Sequence, residues 1–264
     1  MSLVPNLARG KAGRRQHGHD GTPLLKVSDL SLRFGALEAL SKVSLEMAEG
    51  TWLGVIGPNG SGKSSLLNCI AGQYQASRGS VIYRGLDVTR TTPSASERAG
   101  IARIFQNLSL APSMSLVENI HLGLEGRTRR RDTSRSLTFE VLEEIQRWGL
   151  EPYAKHFPSD APYGVRKASE TVRAILSEPS LLLLDEPAAG LSSEERKMMI
   201  LRFEELRERR KDLGVLLVEH DVGFVRTLCQ HLVALDAGNV IAQGPTSEVL
   251  ANRGVVEAFL GKGV

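Results

Sequence analysis

The fold is decided by the stretch GPNGSGKSS, which runs from Gly57 to Ser65. An apolar run at 51–56 precedes it, and apolar residues at helical spacing follow it at 66–70. This order predicts a strand, a glycine-rich loop and a helix. In that arrangement, backbone amides at the helix N-terminus can bind a phosphate group.

The residue types within this stretch suit the groups of a nucleotide. Glycines at 57, 60 and 62 let backbone amides approach phosphate oxygens without obstruction by a Cβ atom. Lys63 would place its ammonium near the β- and γ-phosphates, and the Ser64 hydroxyl could bind Mg²⁺. We therefore expect nucleotide contacts from Gly57, Pro58, Asn59, Gly60, Ser61, Gly62, Lys63, Ser64 and Ser65, with Lys63 also acting in catalysis.

A pair of acids follows a second apolar strand far downstream. The run Leu181–Leu184 leads directly into Asp185 and Glu186. In a doubly wound fold, this position brings both carboxylates to the C-terminal edge of the sheet, beside the phosphate loop. Asp185 is then placed to hold Mg²⁺ or its water ligands, and Glu186 to polarise an attacking water. The alternative is an acidic turn after a core strand.

The composition is that of an ordinary globular protein. The chain has 264 residues, of which 41% are hydrophobic and 24% charged, and these values exclude disordered and fibrous classes. No apolar stretch approaches the roughly 18 residues that a membrane-spanning helix needs. The N-terminus lacks the apolar region of a secretory signal, so we expect the protein in the cytoplasm. Cys69 and Cys229 stand singly, and we expect two reduced core thiols.

The basic charge is concentrated at the N-terminus. Residues 1–22 contain Arg9, Lys11, Arg14 and Arg15 against Asp20, and so carry the whole formal net charge of +3. We expect a disordered basic tail, with contact to lipid head groups or RNA as the alternative. Since the rest of the chain is neutral, nucleic-acid binding is not expected. The arginine-rich segment 127–135 is interpreted as a solvated linker, or else as a contact with a partner or lipid head groups.

Apolar runs and turn residues predict an α/β order of elements. Helical patterns at 117–124, 137–148 and 167–176 fall in a region without strand signals, from about 110 to 178. Near the C-terminus, a hairpin around 237–239 and helices at 247–252 and 255–260 are predicted. Strands are predicted at 24–32, 41–47, 51–56, 80–83, 101–105, 181–185, 215–219 and 232–236.

Along residues 24–264 the sequence resembles the ATP-binding cassette (ABC) ATPases, the nucleotide-binding subunits of ABC transporters. Phe34, 29 residues before Lys63, matches the family's aromatic residue that stacks on adenine. Gln106 matches the glutamine that approaches Mg²⁺ and the attacking water. His220 matches the switch histidine near the γ-phosphate. Residues 188–192 match the D-loop, with Ser192 where the family often has aspartate.

The family's signature segment, commonly LSGGQ, matches only in part. Residues 161–165 read APYGV, so Gly164 keeps a glycine amide for a partner's γ-phosphate. Pro162 replaces the usual serine and has neither a hydroxyl nor an N–H. The resemblance implies that Pro162, Tyr163 and Gly164 face the nucleotide of a second subunit. This segment is similar to the longer ATPase subunit of bacterial branched-chain amino acid importers.

The resemblance implies an α/β fold with a RecA-like P-loop core, an N-terminal antiparallel β region and an inserted α-helical lobe, all within residues 23–264. It implies ATP and Mg²⁺ as cofactors. The catalytic residues would be Glu186, His220, Gln106 and Lys63, and the metal-binding residues Ser64, Gln106 and Asp185.

The resemblance also implies a setting for the activity. The implied function is ATP hydrolysis that drives import of a small polar solute, and of branched-chain amino acids in particular, at the cytoplasmic face of the membrane. The implied partners are a second ABC ATPase subunit packed head to tail, two transmembrane permease subunits and, indirectly, an extracytoplasmic solute-binding protein. The alternative is a soluble ABC ATPase that acts on ribosomes or nucleic acid. A P-loop kinase would leave Gln106, Gly164 and His220 together unexplained.

Overall fold

The computed structural model describes residues 22–125 and 134–260. The predicted basic tail lies outside the described residues except for residue 22, as does most of the arginine-rich segment 127–135. The described strands are β1 (Leu25–Phe34), β2 (Leu37–Met47), β3 (Trp52–Ile56), β4 (Arg78–Tyr83), β5 (Leu86–Asp87), β6 (Ile101–Ile104), β7 (Leu181–Asp185), β8 (Gly214–Val218), β9 (His231–Asp236) and β10 (Asn239–Pro245). The described helices are α1 (Lys63–Ile70), α2 (Pro93–Ala99), α3 (Leu116–Glu125), α4 (Ser134–Arg147), α5 (Tyr163–Leu176), α6 (Ser193–Arg209), α7 (Val222–Leu228), α8 (Thr246–Ala251) and α9 (Arg253–Leu260).

The strands form two sheets. One has four strands in the order β2-β1-β4-β5, with antiparallel neighbours. The other has six strands in the order β10-β9-β3-β8-β7-β6, and its neighbours are parallel except for the β9–β10 pair. The predicted antiparallel N-terminal region and α/β core are therefore confirmed.

The central strands of the larger sheet are apolar on both faces because both faces are covered. Every residue of β3, β7 and β8 is buried. On β3, Trp52 and Ile56 belong to a core that includes Phe203 of α6, whereas Leu53 and Val55 belong to a second core that includes Leu66 of α1. This alternation explains why the sequence shows continuous apolar runs there.

Helices α3, α4 and α5 occupy the region that the sequence assigns to an inserted helical lobe. The entry to this region is fixed by Asn119, whose side chain is fully buried and bonds the backbone of Ala111 in both directions, at 2.7 and 3.0 Å. Gly123 on α3 allows close packing on α5, since a Cβ there would lie 2.2 Å from the carbonyl oxygen of Arg173. The helical insertion is confirmed, while its exact domain limits stay a prediction.

The predicted elements are found, with shifts and additions. The strand β2 begins at Leu37 rather than at residue 41, because its first residues pair with the end of β1 across a tight turn. Helix α5 begins at Tyr163 rather than at residue 167. The hairpin between β9 and β10 is confirmed, with the positive φ values of Ala237 and Gly238 that a two-residue turn of this kind requires. Sequence patterns predict only part of α1, and they do not predict β5, α2, α6 and α7.

Two smaller predictions can also be compared with the structure. Cys69 and Cys229 are both buried and free, as the sequence indicates. Burial raises the pKa of the Cys69 thiol to about 11 and that of Cys229 to about 12. Among the described helices, none combines the length and apolar character needed to cross a membrane.

Candidate active site

The phosphate loop joins β3 to α1, and two different structural requirements explain its glycines. All three glycines have positive φ, at 154° for Gly57, 78° for Gly60 and 103° for Gly62. A Cβ on Gly57 would lie 2.1 Å from the carbonyl oxygen of Leu235, and one on Gly62 would lie 2.6 Å from that of Ala39. Beside Gly60 there is open space instead. The loop thus packs tightly on one side and leaves room on the other.

Lys63 begins α1 and folds back over the loop. Its ammonium donates hydrogen bonds to the carbonyl oxygens of Gly57 and Pro58, both at 2.9 Å, and the residue is 5% exposed. Burial lowers the pKa of Lys63, while the nearby carboxylates of Glu186 and Asp185 act against this shift. The charge therefore lies at the loop, next to both acids.

The remaining loop residues line the same turn. Asn59 and Gly60 are exposed, while Pro58 and Ser65 are partly buried. Ser61 is 1% exposed, and its hydroxyl has no hydrogen-bond partner among the described residues. An unpaired hydroxyl in a loop of this shape is consistent with a polar ligand at the loop.

The acid pair and the phosphate loop meet as the sequence predicts. The Ser64 hydroxyl donates to Asp185 Oδ1 at 3.2 Å, across 121 positions of sequence. A hydroxyl and a carboxylate are hard oxygen ligands of the kind that Mg²⁺ binds, so the residues present fit this ion. The other carboxylate oxygen, Oδ2, is bonded by Arg103 at 2.9 Å.

Glu186 brings together two of the other predicted catalytic residues, Gln106 and His220. Its Oε1 lies 2.7 Å from His220 Nε2, and its Oε2 accepts a hydrogen bond from Gln106 Nε2 at 2.9 Å. The Gln106 amide thus bonds Glu186 and not the Ser64–Asp185 pair, with which it was predicted to bind the metal. Glu186 has a φ of 50°, a left-handed conformation that is strained for a residue with a Cβ. Its own amide donates to Val218 O at 2.9 Å.

The sheet order explains this convergence. Gln106, Asp185 and His220 lie at or just after the C-terminal ends of β6, β7 and β8, which are neighbours in the sheet. The phosphate loop follows β3, which pairs with β8. Parallel strands place their C-terminal ends at one edge, so the four segments meet there.

Glu219 is a buried acid at this edge that the sequence analysis missed. Its carboxylate is 4% exposed and accepts hydrogen bonds from the amides of Ala188 at 2.7 Å and His220 at 3.1 Å. Burial raises the pKa of Glu219, and the amides oppose that rise. The carboxylate joins residues 188–192 to the His220 segment. Its position directly before His220 was the available signal, but sequence alone does not show its burial.

Phe34 lies at the end of β1 with a second aromatic residue beside it. The ring of Phe34 is 47% exposed and contacts Tyr74 edge to face, with ring centres 5.2 Å apart. Tyr74 follows α1 without a recognisable pattern and was not predicted from the sequence. The pair forms an exposed aromatic surface.

The partial signature segment lies at the N-terminus of α5, next to Glu195 of α6. Pro162 is the N-cap residue and makes no side-chain capping bond. The ring of Tyr163 covers Gly190: a Cβ added to Gly190 would lie 3.0 Å from Tyr163 Cε1. A Cβ on Gly164 would lie 2.3 Å from Glu195 Oε1. The Glu195 carboxylate therefore covers Gly164.

Residues 188–192 and α5 are tied to the rest of the site. Ser192 caps α6, because its hydroxyl accepts from the Glu195 amide at 3.3 Å while Glu195 Oε2 accepts from the Ser192 amide at 2.8 Å. Serine and aspartate both cap helices in this way, which accounts for serine at this position. The buried ammonium of Lys167 on α5 donates to Gln106 O at 2.8 Å.

Comparison with known proteins identifies the class that this fold and site define. The family model described as ABC transporter matches residues 40–189. The crystal structure of a nucleotide-free ATP-binding cassette from an ABC transporter superposes with a TM-score of 0.79 at 26% identity, over 91% of this chain and 100% of that one. The ADP conformation of an ATP-binding cassette of an ABC transporter gives the same values.

Two curated relatives define the family more closely. The high-affinity branched-chain amino acid transport ATP-binding protein LivG of Salmonella typhimurium is 32% identical over 252 residues, which are 91% of this chain and 98% of the relative. The high-affinity branched-chain amino acid transport ATP-binding protein BraF of Pseudomonas aeruginosa is 33% identical over 253 residues, which again are 91% of this chain and 98% of the relative. The chain belongs to the ABC transporter family as an ATP-binding, ATP-hydrolysing subunit. The transporter interpretation is thereby supported over the ribosome or nucleic-acid alternative.

Proposed function

We propose that the chain binds MgATP at the phosphate loop and hydrolyses it to drive import of branched-chain amino acids. One observation supports hydrolysis: Gln106 and His220 both contact the Glu186 carboxylate, beside the Ser64–Asp185 pair. The solute is suggested by the names of LivG and BraF, which are branched-chain amino acid transport proteins.

The phosphate groups would be held by the loop amides and by Lys63. In the structure the Lys63 ammonium is satisfied by the carbonyl oxygens of Gly57 and Pro58. Phosphate oxygens carry more negative charge than these carbonyls and form stronger bonds with an ammonium. We therefore expect Lys63 to turn towards the β- and γ-phosphates when ATP binds.

Ser64, Asp185 and Gln106 would hold Mg²⁺. When bound, this ion supplies positive charge that stabilises the phosphate oxygens. The Ser64 hydroxyl and Asp185 Oδ1 are already together at 3.2 Å. Gln106 would have to move its amide from Glu186 to reach the ion or its waters.

Glu186 would act as the general base. Its carboxylate takes a proton from water while the water oxygen attacks the γ-phosphorus, and ADP leaves with the electron pair of the broken P–O bond. His220, at 2.7 Å, orients the carboxylate and would lie near the γ-phosphate. The Glu186 side chain lies at the sheet edge, where it bonds Gln106 and His220.

Phe34 would stack on the adenine ring, and Tyr74 supports its edge. The nucleotide would be completed by a second cassette packed head to tail, in which Pro162, Tyr163 and Gly164 face the partner's ATP. The amide of Gly164, near the N-terminus of α5, is the group that can meet a phosphate oxygen there. The Glu195 carboxylate, which covers Gly164, would have to move away before a phosphate could reach this amide.

The assembled transporter would contain two transmembrane permease subunits, with this chain at the cytoplasmic face of the membrane. A solute-binding protein outside the cytoplasm would act on the complex indirectly. These partners are supported by the relatives, which are named as transport ATP-binding proteins.

Uptake by the reconstituted complex tests the proposal. Proteoliposomes that contain the transporter should accumulate labelled leucine, isoleucine or valine when ATP is supplied on the side of this chain. The Glu186→Gln variant is the matched control and should abolish uptake. If ATP drives uptake of urea, amides or short peptides instead, the solute assignment is wrong while the ATPase assignment stands.

A further inference from the structure

Arg103 is a buried arginine that the proposed mechanism has not used. It lies on β6, the edge strand of the larger sheet, where its neighbours Ala102 and Ile104 are buried and apolar. Its side chain is 7% exposed, and that of its ion-pair partner Asp185 is 5% exposed. A buried guanidinium is costly unless its charge is paired, so this position demands an explanation.

The guanidinium joins two elements of the site. Its Nη2 bonds Asp185 Oδ2 at 2.9 Å, and its Nη1 donates to Asn68 Oδ1 on α1 at 2.6 Å. These partners lie 82 and 35 positions away in the sequence. Arg103 thus ties the helix that follows the phosphate loop to the acid at the end of β7.

The two oxygens of Asp185 are divided between two partners. Oδ2 faces Arg103, while Oδ1 faces the Ser64 hydroxyl. Together these contacts fix the rotation of the carboxylate group. The guanidinium charge stays on the Oδ2 side, so the side shared with Ser64 is free of it.

The same guanidinium also contacts the segment that carries Gln106. Its central carbon lies 4.7 Å from the ring centre of Phe105, the residue directly before Gln106. A planar guanidinium can stack on a ring and bond two acceptors at once, whereas a lysine ammonium cannot reproduce this fork. This combination accounts for arginine rather than lysine at residue 103.

We propose that Arg103 is a positioning residue for the metal site, which holds Asp185 Oδ1 towards Ser64 and Mg²⁺. The inference rests on the proposed metal role of Ser64 and Asp185. A purely structural ion pair would instead affect folding and all nucleotide binding alike.

The test compares metal binding with metal-free nucleotide binding. Mn²⁺ serves as the probe, and its binding to the complex of the protein with a non-hydrolysable ATP analogue is followed by electron paramagnetic resonance. Fluorescent ATP is titrated separately in EDTA. The variants are Arg103→Met, Arg103→Lys and Asp185→Asn, and Arg210→Met is the control because Arg210 pairs with Asp212 outside the site. Thermal melting establishes that each variant is folded.

For Arg103→Met we expect Mn²⁺ affinity to fall 10–100-fold, as is usual when a partner of a metal ligand is removed. Affinity for fluorescent ATP in EDTA should stay within about twofold of the wild type, since the contacts of Arg103 are with Asp185, Asn68 and Phe105 rather than with the phosphate loop. Arg103→Lys should lose less Mn²⁺ affinity and carries the test if the methionine variant does not fold. In the Asp185→Asn background, Arg103→Met should cause no further loss. Arg210→Met should match the wild type in both titrations.

The outcomes separate the two levels of the hypothesis. If Asp185→Asn weakens Mn²⁺ binding but the Arg103 variants do not, the positioning role is wrong and the metal role of Asp185 stands. Tighter Mn²⁺ binding in Arg103→Met would mean that the guanidinium repels the ion, which also overturns the inference. Equal losses with and without metal would assign Arg103 a structural role only. If Asp185→Asn leaves Mn²⁺ affinity unchanged, the proposed metal site itself fails, and the inference with it.

Discussion

The phosphate loop and the start of α5 are the two parts of this chain that would face a phosphate group, and they differ in completeness. The loop has its glycines, its lysine and its serine, next to an acid that is already oriented by two side chains. The start of α5 has Gly164 but a proline in place of the usual serine. The chain is therefore better equipped for its own nucleotide than for that of a partner.

Two buried lysines show the same difference. The ammonium of Lys63 bonds two carbonyl oxygens of the loop, which phosphates can replace. The ammonium of Lys167 bonds Gln106 O and lies 6.0 Å from the ring centre of Tyr163, inside the packing between α5 and the Gln106 segment. Burial lowers the pKa of both. One ammonium lies where a ligand can arrive, whereas the other links two segments of the chain.

The largest effect is expected for Lys63→Ala. The change removes the charge that would face the β- and γ-phosphates, so measurable hydrolysis and most ATP binding should be lost. Fluorescent-nucleotide titration and circular dichroism measure affinity and folding. Lys26→Ala is the matched control, since Lys26 forms an exposed ion pair with Glu46. Unchanged affinity in a folded Lys63→Ala protein would remove the lysine from the nucleotide site.

Glu186→Gln should lower hydrolysis at least about a hundredfold while ATP affinity is kept, because a general base contributes that much or more. With a partner cassette whose signature carries serine, this change should cost more of the complex's activity than the equivalent change in the partner. The reason is that the partner's nucleotide would be completed here by Pro162, with at least one hydrogen bond fewer.

Steady-state ATPase measurements on the two single mutants of the assembled transporter decide between the outcomes. Equal losses, or a larger loss from the partner's mutation, would contradict the asymmetry. Near wild-type turnover of Glu186→Gln would contradict the base role itself.

Pro162→Ser should raise the ATPase activity of the isolated chain at concentrations where two copies associate. A hydrogen bond to a charged group contributes roughly 1.5–3 kcal/mol, which corresponds to about tenfold or more in rate. Serine also suits the N-cap position that Pro162 occupies. Pro162→Ala is the matched control, because it restores the N–H without a hydroxyl. A gain as large with alanine would assign the effect to the amide.

The smallest effect is expected at Glu170, in the middle of α5. Its Oε1 accepts from the Ser109 amide at 2.9 Å, and burial raises its pKa above the ordinary value of 4.5. The stability that this group contributes is therefore fully present below pH 4.5 and is lost as the pH rises through the folded-state pKa. Glu170→Gln lacks this titration.

The melting temperature of Glu170→Gln minus that of the wild type should thus rise as the pH increases from 4.5 towards neutrality. Thermal melts across this range measure the difference, with the exposed Glu248→Gln as the control. A difference that falls with pH would mean that the hydrogen bond from the Ser109 amide and the ion pair with Arg173 outweigh burial.

Local chemistry explains what the sequence predicted. Residues 57–65 must be adjacent to wrap one phosphate, and the acids must directly follow an apolar strand to reach the sheet edge. Gln106 and His220 also follow strands, so their places in the sequence indicate the same edge. The fold class, the phosphate loop and the acid pair were therefore open to prediction from spacing, whereas Gln106 and His220 were identified through the resemblance to the family.

The sequence determined by itself which backbone segment has the residues to hold a phosphate and which strand ends in acids, because those properties depend on neighbouring residues. The tertiary structure decided what supports them. Arg103 pairs with Asp185 across 82 positions of sequence, and Glu219 pairs with the Ala188 amide across 31. Tyr74, which follows α1, packs against Phe34 at the end of β1. Whether a charged side chain is a solvated surface group or a buried partner depends on which strands and helices cover it, and that is fixed only when the chain folds.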